Sequence, residues 1–386
     1  MKMPKISLLT HDISGGTFTN LCTALVRGFK ELGADCNLVV LDASPDELAR
    51  YPDLSITTLN VKRTAFSLPA TVRYLREYQP DVLLPMPWYF NIVAVWARYL
   101  AGVPTKVILG EHNIISLEAS IEHRDKLHLR FLPVLMRYVY PHSNGLIGVS
   151  QDTITDLVET LKIAAKIPMR VVLNPINRER VQQLAQVSIE HPWFQTHEIP
   201  VIVTAARLAK QKQLDGLLHA FSQVVKVTPA RLLILGDGPL RAELESLCQT
   251  LGVADSVWMP GYDTNPYRYM AKADVFVLAS AWEGCPIALQ EAMACGAAVV
   301  VTDAPGGMKD IIEYGKHGLL VPTGNADALA QGLLQMLSQP DVKQHYQAQA
   351  RRRSQDFDYL NTSQQYLDFC QAVLATADPQ QEALIR

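Results

Sequence analysis

The sequence predicts an α/β protein with two doubly wound parallel sheets, each in its own domain. Three observations carry this expectation. Short, β-branched apolar runs alternate with helix-period segments along nearly the whole chain, as expected of strands buried on both faces and joined by helical crossovers. The alternation breaks once, where a strand over 171–173 runs into Asn174-Pro175-Ile176-Asn177 and an irregular stretch over 188–198, interrupted by Pro192, leads to a fresh start at Pro200. At 386 residues and 48% hydrophobic, the chain is also longer than one core usually serves. The expected domains are 1–176 and 177–357, with a terminal helix over 358–386 joining the first.

The first element is a strand over 6–9, followed by a turn through Gly15 and Gly16 and a helix over about 17–32. A Gly-Gly turn between strand and helix is a phosphate-loop layout, because it lets a ligand approach the backbone at a helix start; it is also an ordinary turn. Strands follow over 37–41, 81–84, 106–109 and 145–149, separated by helical patterns over 68–77 and 91–101. Ligands of such sheets bind beyond the carboxyl ends of the strands, where Gly15-Gly16 and Glu111-His112-Asn113 fall. His112 is placed there either to exchange a proton near neutral pH or to anchor its loop. Over 123–140, Lys126, Arg130 and Arg137 share one helical stripe, while Leu127, Phe131, Leu132, Leu135 and Met136 take the other side, with Pro133 interrupting. That pattern could suit contact with an acidic membrane surface, but a surface helix packed on its own domain is the favoured reading.

The second half repeats the alternation, with strands over 201–204, 231–235, 256–259, 275–278, 298–302 and 319–321. After its first strand come Arg207, a planar fork, and Lys212, a mobile point charge; the pair suits a diphosphate, and surface salt bridging is the plainer reading. Gly236-Asp237-Gly238-Pro239 resembles a dinucleotide loop only superficially, since Arg241 stands where the third glycine belongs, and it reads as a structural turn. After the strand over 275–278, Glu283-Gly284-Cys285 leads to a helix start at Pro286, with free backbone N–H groups expected near Ile287 and Ala288. Helical spacing puts Glu291 above Ile287 and Ala288, opposite Leu289 and Met293. Two acids beside an anion-attracting helix end fit a ligand with hydroxyls near a phosphate, and fit simple compensation of the helix dipole just as well. A further glycine turn, Asp303 to Met308, should line the same pocket, and the last helices begin near Asp327.

A net charge of -3 with 19% charged residues gives no bulk preference for nucleic acid. Six scattered cysteines point to a reducing cytosol and away from zinc. Met1 leads directly to a strand, and no apolar run reaches the roughly 18 residues that span a membrane, so a cytoplasmic protein is expected, without cofactor or metal.

With these residues assembled, the chain resembles the retaining glycosyltransferases of family 4, most specifically in Glu283-Gly284-Cys285-Pro286 with Leu289 to Gly296 behind it, the family's paired-glutamate motif. Arg207-Leu208 with Gln211-Lys212, then Gly236 to Pro239, then Pro260-Gly261 with Asn265-Pro266, stand in the family's order. The resemblance covers nearly the whole chain. It implies a GT-B fold, two facing Rossmann-like domains with a deep cleft between them, the acceptor on the first and the nucleotide sugar on the second. It implies that Arg207 and Lys212 hold the donor diphosphate, Glu291 the ribose hydroxyls and Glu283 the hydroxyls of the transferred sugar, with Gly15, Gly16 and the backbone after Pro286 also near the phosphates. Gly261 and Asn265 would lie by the base, and His112 would face the sugar. The implied activity moves a hexose or N-acetylhexosamine, most simply from a UDP-sugar, to an acceptor that is a sugar, a small molecule or a lipid-linked glycan. Peripheral membrane contact through 123–140 would suit the lipid-linked case. Ala206 departs from the family's usual glycine, Cys285 from its bulkier or hydroxyl residue, and Thr17-Phe18 from its charged position. A non-catalytic nucleotide-sugar-binding subunit and a nicotinamide-dependent oxidoreductase are the rival readings.

Overall fold

A computed structural model describes residues 3–118, 132–163, 167–196 and 198–376. The chain divides into two compact units, Met1–Pro175 with Tyr359–Arg386, and Ile176–Asp358.

Unit 1 is built on a parallel sheet of β1 (Lys5–Thr10), β2 (Asp35–Val40), β3 (Ile56–Thr58), β4 (Val82–Pro85), β5 (Lys106–Glu111), β6 (Gly145–Gly148) and β7 (Met169–Val171), in the order β3-β2-β1-β4-β5-β6-β7. The short edge strand β3 carries no apolar run, which is why the sequence pattern does not announce it. The order reverses between β1 and β4, so the crevice for a ligand opens at their carboxyl ends, where the Gly15-Gly16 turn follows β1. Helices Leu68–Tyr78, Trp88–Ala101 and Leu132–Val139 send Tyr74, Leu75, Phe90, Ala94, Met136 and Val139 into one core with Leu9, Leu83 and Leu109 of the sheet. Away from that core, helix Thr17–Glu31 packs on the terminal helix Tyr359–Ala375 so closely that a Cβ on Gly28 would lie 2.1 Å from Ser363 Oγ.

Unit 2 has a second parallel sheet of β8 (Val201–Ala205), β9 (Arg231–Leu235), β10 (Val257–Gly261), β11 (Val275–Leu278), β12 (Val299–Asp303) and β13 (Leu319–Pro322), ordered β10-β9-β8-β11-β12-β13. Its switch point lies between β8 and β11. The stretch expected to be irregular is held by aromatic packing: His191 stacks on Trp258 with ring centroids 3.8 Å apart, and Phe194 packs on Tyr269.

Candidate active site

The charged residues of unit 2 converge at its switch point. Arg207 leaves β8 on a loop clamped by the Gly-Asp-Gly-Pro turn: Leu208 N donates to Asp237 O at 2.9 Å and Leu240 N to Leu208 O at 3.1 Å. A Cβ on Gly236 would meet Ala206 O at 2.0 Å, and one on Gly238 would meet Leu208 O at 2.5 Å, so both glycines serve a close backbone approach. The turn is structural, and its effect is to present Arg207, whose side chain is exposed.

Lys212 ends the short 3-10 turn Lys210–Lys212 and reaches across to the loop after β11, where its Nζ lies 2.5 Å from Glu283 Oε1. Ser280 Oγ donates to the same oxygen at 2.7 Å. Glu283 is only 5% exposed and is fixed from behind by the glycine turn after β12: its N–H donates to Pro305 O at 3.0 Å, and Gly307 N donates to Gly284 O at 2.8 Å. Gly306, at φ 119°, touches it so closely that a Cβ would sit 1.6 Å from Glu283 O. Gln211 Nε2 donates to Trp282 O at 2.9 Å and Ala281 N to Gln211 O at 2.8 Å. The loops after β8, β11 and β12 are thus stitched into one framework around a partly buried ion pair.

Helix Ile287–Ala294 starts one residue later than the sequence suggests. Pro286 has φ -71° and ψ 106°, extended backbone, so it is the N-cap rather than part of the first turn, and its carbonyl accepts Leu289 N at 3.1 Å. Ile287 and Ala288 remain half-exposed at the start, where the first N–H groups of a helix have no intrahelical acceptor. Leu289 and Met293 face the core and Glu291 the opposite side. Glu291 Oε1 accepts a hydrogen bond from Tyr267 Oη at 2.8 Å; burial pushes its carboxyl up to about 7, against the opposing pull of that bond. Ser280 and Tyr267 were not singled out by sequence reasoning. Neither carries a local signal, because each acquires its partner only when separate loops meet.

Other expected positions fall as follows. Gly261 ends β10 with φ 100°, its carbonyl accepting Gly236 N at 2.9 Å. The side chain of Asn265 donates to Leu184 O at 2.9 Å, so its amide N–H is used within unit 2's own packing. Cys285 is buried with Sγ 3.7 Å from Gln290 Oε1. In unit 1, Gly15 and Gly16 have φ 128° and 93°, and a Cβ on either would meet nothing within 4 Å, leaving open space over the start of helix Thr17–Glu31. His112 is buried after β5 with its ring edge-on to Phe18 at 5.0 Å, and burial lowers its pKa to about 4. Burial therefore favours the neutral imidazole at pH 7. Behind it, Glu111 accepts hydrogen bonds from Tyr140 Oη and from Asn91 Nδ2, and burial raises its carboxyl to about 8. Of the basic stripe, Lys126 and Arg130 lie outside the described residues. Arg137 is exposed as expected, but Leu135 is exposed too, and Leu132, Met136 and Val139 form the inner face. Among the described residues no helix is long and apolar enough to cross a membrane.

The chain matches known proteins over most of its length. Residues 190–353 match the family model for glycosyl transferases group 1, and residues 19–180 that for glycosyltransferase family 4. The chain is 30% identical over 338 residues, 87% of its length and 86% of the relative's, to the N-acetylgalactosamine-N,N'-diacetylbacillosaminyl-diphospho-undecaprenol 4-alpha-N-acetylgalactosaminyltransferase of Campylobacter jejuni. It is 28% identical over 267 residues, 67% of its length and 66% of the relative's, to the N-acetyl-alpha-D-glucosaminyl L-malate synthase of Bacillus anthracis. Among solved structures, Anabaena HepE in complex with UDP superposes with a TM-score of 0.75 at 20% identity, over 95% of this chain and 100% of that one. Two parallel doubly wound sheets, together with the family models they match, define a glycosyltransferase of the GT-B type. The chain belongs to glycosyltransferase family 4.

Proposed function

We propose that the protein transfers a hexose or N-acetylhexosamine from a UDP-sugar to an acceptor hydroxyl with retention of configuration, using the framework around Arg207, Lys212, Glu283 and Glu291. The observation that carries this reading is the Lys212–Glu283 pair at 2.5 Å, which puts a cation and a hydroxyl-binding carboxylate side by side next to a helix start. An ammonium has three donors, so Lys212 can hold Glu283 and a phosphate oxygen at once. Arg207 and the N–H groups at Ile287 and Ala288 add to the same anion. Glu291 accepts from the ribose hydroxyls and Glu283 from the transferred sugar, with Gly261 near the base.

As the bond between the anomeric carbon and the phosphate oxygen breaks, charge grows on the departing diphosphate. Fixed cations and backbone dipoles aimed at that charge stabilise it more in the transition state than in the ground state. The acceptor oxygen attacks on the leaving-group face and its proton passes to the phosphate oxygen, so no carboxylate nucleophile is required. Because side chains already neutralise the diphosphate, turnover is expected to persist in EDTA. His112 acts as a neutral hydrogen-bonding imidazole toward the sugar, and Gly15 and Gly16 leave the backbone open to a phosphate.

The UDP assignment is supported by the UDP in the structure of HepE, and a lipid-linked acceptor by the diphospho-undecaprenol in the name of the Campylobacter relative. A thermal-shift screen against UDP-, GDP- and ADP-sugars tests the donor, since a ligand that binds only the folded state raises its stability by RT ln(1+[L]/Kd). A shift with UDP-sugars that disappears in Lys212→Ala is the expected result. No shift with any nucleotide sugar, or unchanged turnover in both Lys212→Ala and Glu283→Gln, would sink the reading.

A further inference from the structure

Unit 1 shows a surface that the transfer reaction leaves unused. Helices Leu68–Tyr78, Trp88–Ala101 and Leu132–Val139 cover one face of its sheet, and because their inner sides share a core cluster, their outer sides share one surface. That surface is unusually apolar. Trp96, Tyr99 and Leu100 are 48%, 61% and 54% exposed, and Val134, Leu135 and Tyr138 are 47%, 44% and 73% exposed. Each trio recurs at helical spacing, so each helix presents a continuous apolar face outward as well as the one it buries. Contiguous exposed apolar surface of this kind marks an interaction site.

The charges on the same surface indicate what it meets. Neither Trp88–Ala101 nor Leu132–Val139 contains an acidic residue, in a chain whose net charge is -3. Arg137 is exposed beside Tyr138, and Arg73 and Arg76 are exposed on the neighbouring helix, where Glu77 is the opposing acid. Arg76 donates to Leu100 O at 2.7 Å and to Ala101 O at 3.3 Å, which fixes its charge at the edge of the apolar residues.

We propose that this outer face docks on an anionic phospholipid bilayer. Tryptophan and tyrosine rings, with an apolar body and a polar edge, settle at the headgroup level, aliphatic side chains enter the acyl boundary, and arginines pair with lipid phosphates. The contact shares helix Leu132–Val139 with the stretch over 123–140 but extends to Trp88–Ala101, and the apolar face, rather than the cations alone, makes it. For its purpose the inference rests on the proposed lipid-linked acceptor, which lies in a membrane.

The experiment is co-sedimentation of the full chain with vesicles of phosphatidylcholine alone and of phosphatidylcholine with phosphatidylglycerol. Binding to the anionic vesicles is expected, weakening as salt rises because exposed charge pairs are screened within about 10 Å at 0.1 M. Replacing Trp96, Tyr99 and Tyr138 together by Ser should reduce binding roughly tenfold or more, on the scale of three exposed interfacial anchors. Arg73→Gln with Arg137→Gln should remove the preference for anionic lipid. Brominated lipids should quench wild-type tryptophan emission, and Trp96→Phe should abolish that quenching, which keeps the test valid if the triple variant folds poorly. Absence of vesicle binding, or unchanged binding and quenching in the variants, would overturn the proposal. So would a concentration-dependent dimer lost in Trp96→Ser, since a second copy would then cover the face. The UDP-sugar thermal shift separates the two readings: if it persists without vesicle binding, only the docking surface fails, and if it is absent, the function fails whatever the vesicles show.

Discussion

Lys212 and Glu283 make the site a charge-balanced unit, so removing either member has two effects. Their side chains are 18% and 7% exposed, and breaking a buried pair by deleting one partner leaves the other uncompensated. Lys212→Ala is expected to slow turnover about 100- to 1,000-fold, the range for losing one transition-state donor, and also to lower the melting temperature. Steady-state kinetics and calorimetry on the same preparation separate the two effects. Titration at Glu291, Glu111 and His112 gives a second expectation. Glu291 and Glu111 keep their protons in the fold to about 7 and about 8, whereas the ordinary value for both is 4.5. Between those limits the unfolded chain binds fewer protons, so the two carboxyls' contribution to stability falls as pH rises through 4.5 to 8 and is flat beyond. His112 works the other way: lowered from 6.5 to about 4, it makes the unfolded chain bind more protons in that window, and its contribution rises with pH there. Glu111→Gln should therefore flatten the loss of stability between pH 5 and 8 in urea melts, tested against the raised carboxyl at about 8. The direction in which Glu291 points was legible from helical spacing alone, because a helix fixes direction within a few residues. Its proton was not, since that depends on burial by elements distant in sequence.

At the scale of elements, most strands could be read because a buried parallel strand is a local apolar run, whereas the short edge strand β3 and the sheet orders that set the two switch points depend on pairing between distant segments. What escaped was whatever depends on contact between loops. The turn after β12 was expected to line the pocket; its tighter role as the brace behind Glu283 emerges only from the 1.6 Å approach of a Cβ on Gly306. Gly306→Ala would combine a left-handed φ of 119° with that overlap, and a loss of roughly 1–3 kcal/mol is expected, as for a strained backbone position. The nucleotide-sugar thermal shift should shrink with it, and by more than in Gly324→Ala, whose φ of 68° is also positive but whose Cβ would meet nothing within 4 Å. The stretch over 188–198 reads as irregular because its proline and polar residues lack periodicity, yet His191 and Phe194 fasten it to Trp258 and Tyr269.

At the scale of the molecule, the terminal helix Tyr359–Ala375 buries Tyr366, Leu367, Phe369 and Cys370 in unit 1, against helix Thr17–Glu31 and the β6 region, where a Cβ on Gly145 would meet Phe369 at 3.2 Å. A chain stopped after Asp358 should leave that surface bare, and we expect it to aggregate, while a fragment of Ile176–Asp358 should melt cooperatively by itself; light scattering and calorimetry check the pair. The chain enters unit 2 at Ile176 and leaves at Asp358, and these two residues form an isolated parallel bridge, with Ile176 N donating to Phe357 O at 2.9 Å. This arrangement bears on the order of events during synthesis. Met1–Pro175 is made before unit 2 but lacks its helix Tyr359–Ala375 until unit 2 is complete, whereas unit 2 is one uninterrupted stretch. Domains fold as units on the ribosome, usually from the N-terminus. Here the middle of the chain can finish before its beginning, and the N-terminal half must wait on the ribosome with an apolar helix face uncovered, the period in which a chaperone would matter most to this protein.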